Sequence, residues 1–255
     1  MAASAIPALG KLNAVQVQCG LIAVFLSAGT LFCVGRFVLR ASMTTLYRVG
    51  LSAALAQQVL ELRQALPADV KKGAAFSPGN LAYAVRSTGF PMLLVTAYLW
   101  LSSTVFGVEL VALLLLAALR VNELLRVEGQ LVKSSAYRQY LAGVFGQVEA
   151  RRRLLQMAAA HLELWSLVMV VGGVVLLQGG RLLDVAFFVQ YLVLRHCKSG
   201  AMVSAVGVWD GMVQGAMRDG RCPAVLRQME VAVRGYLQQM RRGMAPLVGD
   251  EDKQH

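Results

Sequence analysis

The sequence has few charged residues and few of the residue types that build catalytic or metal sites. Only 15% of its 255 residues are charged, whereas a typical soluble domain has about 25%. It contains three histidines and four cysteines, and no two cysteines have the C-x-x-C spacing of a zinc or redox site. Phosphate-binding, nucleophile-elbow and zinc-peptidase motifs do not occur in it. These absences predict a protein that is not an enzyme and that holds no cofactor or metal.

The sequence is rich instead in apolar residues and in positive charge. Hydrophobic residues make up 57% of it and the mean hydropathy is +0.57, which is typical of a multi-pass membrane protein. The 25 Lys and Arg residues outnumber the 14 Asp and Glu residues, so the net charge is +11. Because no nucleic-acid recognition motif accompanies these bases, we expect no nucleic-acid partner. Anionic lipid headgroups are the predicted counter-charge.

A charge-free run at residues 12–35 lies between Lys11 and Arg36. It exceeds the roughly 20 residues that cross a bilayer, so we expect a first membrane span at about 15–35. The run is longer than the apolar core of a cleavable signal peptide and has no clear cleavage site. Import into an organelle stays open as an interpretation, because arginines precede Glu61 and no acidic residue does.

The second apolar block, residues 89–119, contains one charged residue, Glu109. It is too long for one straight span and too short for two full spans. We therefore predict a short helical hairpin at about 90–119, with its turn in the SSTVFG segment. Glu109 would then lie near the hairpin tip in headgroup water. The alternative role for this residue is a proton or ion relay inside the membrane.

Two further apolar runs, at 164–180 and 185–194, are separated by a turn marked by Gly179 and Gly180. They predict a second hairpin at about 163–195. After Arg195 no segment is apolar enough to cross a membrane.

The positions of the bases support hairpins. Seven Lys or Arg residues lie between the first and second apolar blocks, seven lie between the second and third, and nine follow from Arg195 onward. Positive charge marks the cytoplasmic side of a membrane protein, and a hairpin returns the chain to the side it entered from. All three basic regions can then share one side. The side of the N-terminus stays open, because it depends on whether residues 41–66 also cross.

The predicted fold class is all-α: a polytopic membrane protein with a first span, two short helical hairpins and amphipathic surface helices. Residues 1–196 would form the membrane domain, in which the amphipathic segments are 41–66 and 120–158. Cytoplasmic amphipathic helices would occupy 197–243, and 244–255 would be a disordered tail.

Residues 222–243 have the pattern of a strongly amphipathic, basic helix. Pro223 suits its first turn and Gly243 suits its end. The pattern predicts binding to the surface of an anionic membrane. The predicted surface-binding residues are Val225, Leu226, Met229, Val233, Tyr236, Leu237 and Met240 on the apolar face, and Arg227, Arg234, Arg241 and Arg242 on the basic face. The apolar face could instead pack on the hairpins, or on the preceding helix around 202–216.

Three segments resemble the transmembrane protein 33 family, which includes the yeast pore-membrane and peri-nuclear-pore proteins. LYRVGLSAALAQQVLELRQALP at 46–67 is similar to the family's segment after the first span. FFVQYLVLRHCKS at 187–199 resembles its aromatic last span, and CPAVLR at 222–227 resembles the start of its final helix. The three segments keep the family's order along the chain.

The resemblance implies a membrane protein of the endoplasmic reticulum and nuclear envelope. It implies association with reticulon-type proteins and nuclear-pore components, and binding of the C-terminal helix to curved membrane. The expected function is therefore that of a non-catalytic membrane-shaping or scaffold protein. The competing expectation, which follows from organelle import, is a supernumerary structural subunit of an organellar inner-membrane complex.

Overall fold

The computed structural model of the chain describes residues 14–38, 43–65, 83–87, 89–102, 107–127, 143–144, 146–176 and 182–218, and eight helical positions between 228 and 243. Within these residues the regular structure is entirely helical, without a strand. The prediction of an all-α fold is confirmed for this part of the chain.

Seven long α-helices carry the described fold. They are α1 (Ala14–Cys33), α2 (Thr44–Ala65), α3 (Phe90–Leu101), α4 (Gly107–Val127), α5 (Arg152–Val175), α6 (Leu182–Lys198) and α7 (Gly200–Arg218). A π-helical turn, Val34–Val38, continues α1. Shorter helical segments lie at 83–86 and 146–150.

Helices α4 and α5 extend beyond the apolar blocks into the basic segments beside them. α4 continues past Leu119 to Val127, because Arg120 and Glu123 lie one turn apart on it and form an ion pair at 2.9 Å. α5 begins at Arg152, so the arginine run and the apolar residues after it form one helix. The apolar pattern located the starts of α3 and α4 but not these charged extensions.

The chain divides into two compact units, residues 1–61 with 96–155 and residues 62–95 with 156–255. In the first unit, α1 and α2 form an antiparallel pair. The Phe32 and Tyr47 rings stack at 5.1 Å near the end of α1 and the start of α2. A Cβ at Gly50 would lie 3.5 Å from the Phe25 ring and 3.6 Å from Ala28. Small residues therefore let the two helices approach closely, as they do in membrane helix pairs.

α1 also packs along α4. A Cβ at Gly29 would lie 2.7 Å from an end methyl group of Leu114, so a larger residue there requires the Leu114 side chain to shift. α2 then binds the C-terminal end of α3: the Arg48 guanidinium donates to the carbonyl oxygens of Trp100 and, at 3.1 Å, of Ser102. A cation at a helix C-terminus satisfies carbonyls that have no intrahelical partner.

Candidate membrane-facing site

In its apolar part, from Glu163 onward, helix α5 buries its two polar side chains and exposes most of its large apolar ones, although Val170 is buried. Glu163 is completely buried and Ser166 nearly so, together with Ala159 and Ala160. From Glu163 onward the exposed residues of the helix are large and apolar, namely Trp165, Val168, Met169, Val171 and Val175, of which Val175 is 71% exposed. A helix of a water-soluble protein has the opposite arrangement. Its surface suits a hydrocarbon surrounding.

α1 and α6 each bury one polar side chain, although the rest of their buried residues are mainly apolar. Gln18 of α1 is 1% exposed, whereas Leu31 of the same helix is 57% exposed. Asp184 of α6 is buried beside Leu182 and Leu183, which are both strongly exposed. Two described helices are long and apolar enough to cross a membrane, Gln16–Arg36 and Arg152–Val175, and in the apolar stretch of each a third of the residues or fewer are buried.

A buried ion pair joins α5 to α6 in the second unit. Nε of Arg195 lies 3.3 Å from Oε2 of Glu163, and the Arg195 side chain is 14% exposed. Tyr191, one turn before Arg195, contributes to the polar surroundings of the Glu163 side chain. Its hydroxyl lies 3.7 Å from the Met92 sulfur. A buried carboxylate needs such partners, because a lone charge in an apolar interior is very unfavourable.

The ion pair fixes the length of the hairpin formed by α5 and α6. From Glu163 to Val175 the helix rises about 18 Å, and from Leu182 to Arg195 it rises about 20 Å. The two arms are antiparallel, because the chain leaves the ion pair along α5 and returns to it along α6.

An aromatic and imidazole cluster lies at the level of this ion pair. The Trp209 indole of α7 donates to Nδ1 of His161 at 2.9 Å, and the Trp165 and Trp209 rings are 6.0 Å apart. Trp209 is ten residues after the break at Ser199, about 15 Å along α7, yet it still contacts the α5 turn that carries Glu163. α7 therefore runs across the hairpin axis. Tryptophan beside the charged end of an apolar hairpin is typical of the boundary between membrane and water.

Lys198 fixes the end of the hairpin. Its ammonium donates to the carbonyl oxygens of Val85, within the helical segment 83–86, and, at 2.6 Å, of Ser87, which follows that segment. The Ser199 hydroxyl then accepts from the Met202 amide and caps the start of α7. The basic end of α6 is thus held by backbone carbonyls rather than left in an apolar surrounding.

The first unit has a similar length between its charged ends. At one end Arg48 caps α3, and at the other Glu61 pairs with Arg120 at 2.8 Å. These two α2 residues are 13 residues apart, so about 20 Å of helix separates them. Between them Gln58 donates to Thr96 at 3.1 Å and Gln57 donates to Glu61 at 2.8 Å. The charged ends of α2 and of the α5–α6 arms are thus about 20 Å apart, whereas α1 has 20 charge-free residues, about 30 Å, which matches a bilayer core about 30 Å thick.

Glu109 differs from its expected surroundings. It lies in the first turn of α4, where a negative charge is favoured by the helix dipole, and its side chain is completely buried. The expectation that headgroup water surrounds it was wrong within this unit, because the helices of the bundle cover it.

Of the predicted surface-binding residues, the structure describes Arg234 and Arg242. Arg242 is exposed, and Arg234 is half-buried in an ion pair with Asp210 of α7. Outside the described residues lie Val225, Leu226, Arg227, Met229, Val233, Tyr236, Leu237, Met240 and Arg241. The apolar face of this stretch therefore stays a prediction.

The sequence contained a signal for the Glu163 and Arg195 pair that its helical pattern did not show. The two residues lie 16 positions before and 16 positions after Gly179, the expected turn. Opposite charges at equal distances from a turn meet in an antiparallel hairpin. The contacts that hold Arg48 and His161 have no such symmetry, and their partners are 48 or more residues away.

The described residues contain no group of three His, Cys, Asp or Glu side chains arranged as metal ligands. Cys33 is a free thiol. Comparison of the chain with protein-family models, with curated proteins and with solved structures gives no match. The resemblance to the transmembrane protein 33 family therefore stays a prediction made from the sequence, and the chain stands as an all-helical protein with two helices apolar enough to cross a membrane.

Proposed function

We propose that this chain is a non-catalytic, multi-pass membrane protein that shapes or scaffolds the membrane of the endoplasmic reticulum and nuclear envelope. The observation that carries the proposal is the outward apolar and inward polar arrangement of α5, with Glu163 buried and Val175 exposed. In water, it is unfavourable both to expose large apolar side chains and to bury a charged one. In a bilayer, apolar side chains contact lipid and the buried ion pair stays inside the protein.

The short apolar length supports a shaping function. Arms of about 20 Å do not match a hydrocarbon core of about 30 Å. The bilayer must either thin around the protein, or take up the hairpins mainly in one leaflet. One-leaflet insertion adds area on the basic side of the membrane and favours positive curvature there.

The antiparallel α1 and α2 pair supports a third hairpin, in which α2 returns across the membrane beside α1. This places the N-terminus on the same side as the segments 66–82 and 128–142. Arg48 lies at the opposite end, where it caps α3. A glycosylation acceptor sequence inserted before Ala14 or within 128–142 should stay unmodified, and one inserted at 39–42 should be glycosylated. Modification of the acceptor before Ala14 would contradict the return of α2.

The location rests on the resemblance of residues 46–67, 187–199 and 222–227 to the transmembrane protein 33 family. Reticulon-type proteins and nuclear-pore components are the expected protein partners, and anionic lipids are the expected surface. A tagged full-length chain should co-fractionate with reticulum membranes and resist alkaline extraction. Import into mitochondria or plastids would favour the competing proposal, a supernumerary subunit of an inner-membrane complex.

The shaping proposal is tested by lengthening a hairpin. Four leucines inserted after Val175 and four before Leu182 add about 6 Å to each arm, close to one helical turn. The insertion leaves Glu163 and Arg195 at the same distance from the hairpin's basic end. Overexpression of the wild-type chain should change the proportion of tubules to sheets in the reticulum, and the lengthened chain at equal abundance should change it less.

Equal effects of the two chains would show that hairpin length is not the cause. If neither overexpression nor deletion of the wild-type chain altered the network or the distribution of nuclear pores, the shaping proposal would fail.

A further inference from the structure

Asp210 of α7 connects that helix to the basic C-terminal stretch. Nη2 of Arg234 lies 2.6 Å from Oδ1 of Asp210, and Nη1 lies 3.2 Å from Oδ2. Gln214, one turn further along α7, donates to the same carboxylate at 2.9 Å. This two-point geometry orients the guanidinium as well as attracting it. The Asp210 and Arg234 side chains are 41% and 37% exposed, so water reaches the pair.

Arg234 is also one of the four arginines predicted to face an anionic membrane. The two N–H groups that donate to the Asp210 carboxylate are not available to a lipid phosphate, and the pair has no net charge to attract an anionic leaflet. Of the described positions in this stretch, Arg234 is half-buried. The others are exposed, namely Gln228, Val231, Gly235, Gln238, Gln239, Arg242 and Gly243.

We propose that the Asp210 and Arg234 pair is a latch. When closed, it holds the C-terminal helix on α7, and contact with an anionic membrane surface opens it. The proposal rests on the surface binding of residues 222–243 and adds its regulation. Lipid charge decides whether the helix binds α7 or the bilayer. The ligand that opens the latch is the phosphate-bearing surface of an anionic leaflet.

The strengths of the two competing interactions make the latch reversible. An ion pair as exposed as this one shifts the equilibrium between the closed and the open latch by about fivefold at most. Each arginine near an anionic leaflet also contributes about fivefold, so four arginines together contribute up to about 600-fold. Over neutral lipid the arginines gain little and the latch stays closed. Over anionic lipid the four arginines outweigh the single pair, and the helix moves to the bilayer.

The test uses the full-length chain, with its four cysteines replaced by serine, reconstituted in vesicles. A donor and an acceptor fluorophore are attached to cysteines placed at Met212 and Gln238, which are both exposed. Each label lies within about 6 Å of helix length from the latch, so energy transfer is efficient when the latch is closed. The vesicles are phosphatidylcholine alone, or phosphatidylcholine with phosphatidylserine in both leaflets, so the orientation of the protein does not matter.

For the wild-type chain we expect efficient transfer in neutral vesicles and reduced transfer in anionic ones. Asp210→Asn removes the latch but no charge of the C-terminal stretch, and it should raise the open-to-closed ratio in neutral vesicles about fivefold. The control Arg242→Gln removes a base outside the latch. It should leave transfer in neutral vesicles unchanged and lower the open-to-closed ratio in anionic vesicles about fivefold. The exchange Asp210→Arg with Arg234→Asp should close the latch again in neutral vesicles.

The latch is refuted if Asp210→Asn does not change transfer in neutral vesicles, or if lipid charge does not change transfer in the wild-type chain. Either result leaves the shaping proposal to the hairpin-lengthening experiment, which does not depend on the C-terminal stretch.

Discussion

Removing the charge of Glu163 should destabilise the protein strongly, because Arg195 would be left nearly buried without its counter-charge. Glu163 has no exposed surface and Arg195 has 14%. Loss of one partner from a buried pair costs about 3–5 kcal/mol. We expect Glu163→Gln to cost about 3 kcal/mol, because the remaining exposure of Arg195 and the Tyr191 hydroxyl relieve part of the penalty.

Glu61→Gln is the matched control, because it makes the same substitution in a pair with a shorter distance. Glu61 and Arg120 are 2.8 Å apart, and about a third of each side chain is exposed. By distance alone, at equal dielectric, this pair would be stronger than the 3.3 Å pair by about a fifth. Solvent screening reverses that order, and an exposed pair contributes only about 0.2–1 kcal/mol.

The assay is unfolding of the reconstituted chain by detergent titration, followed by tryptophan fluorescence. Trp165 and Trp209 report on the unit that contains the buried pair. The double substitution Glu163→Gln with Arg195→Gln should recover about 1 kcal/mol or more of the loss, since it removes the unpaired charge. A cost for Glu61→Gln that equals or exceeds that of Glu163→Gln would refute the reasoning that burial, rather than distance, determines the strength of these pairs.

Three further substitutions test contacts elsewhere in the chain by the same unfolding measurement. Gly29→Ala should destabilise the protein by about 1–3 kcal/mol, because the added methyl group meets α4. Gly207→Ala meets no atom within 4 Å and should stabilise α7 by about 0.5–1 kcal/mol. The opposite order of the two effects would contradict the packing of α1 on α4. Arg48→Ala should cost about 1–3 kcal/mol, because two carbonyls at the end of α3 lose their donor, and Arg48→Lys should recover part of it. Trp209→Phe keeps the aromatic contact but removes the hydrogen bond to His161, so a loss of about 1 kcal/mol is expected and no loss would mean that water replaces the bond.

The sequence predicted the helices where the apolar pattern alone decides, and it was less informative where polar residues decide. The starts of α3 and α4 followed from the apolar runs and from the turn residues between them. In α2, the apolar pattern does not show what the polar side chains of Gln57 and Gln58 contact. The structure gives each of them a side-chain partner, Glu61 for the first and Thr96 for the second. A periodic pattern reports which residues share a face but not which distant side chain satisfies a polar one.

The C-terminal stretch is a second case in which the residue pattern does not show which side chains are partners. Its arginine spacing predicted a basic face, but the pattern assigns all four arginines the same role. The structure separates them, because Arg234 binds Asp210 while Arg242 remains exposed. Asp210 itself carried no signal, since a single acidic residue in an amphipathic helix is most often solvated.

The outward apolar surface of α5 has a consequence for which substitutions the chain can tolerate. Positions such as Met169 and Val175 need only a side chain that dissolves in lipid, so leucine, isoleucine or phenylalanine would serve equally there. Glu163, Tyr191 and Gly29 each have a specific partner, and few replacements would fit. A scan of all substitutions should therefore show the pattern opposite to that of a water-soluble protein: wide tolerance among hydrophobic residues outside, and a narrow choice at a few small and polar positions inside.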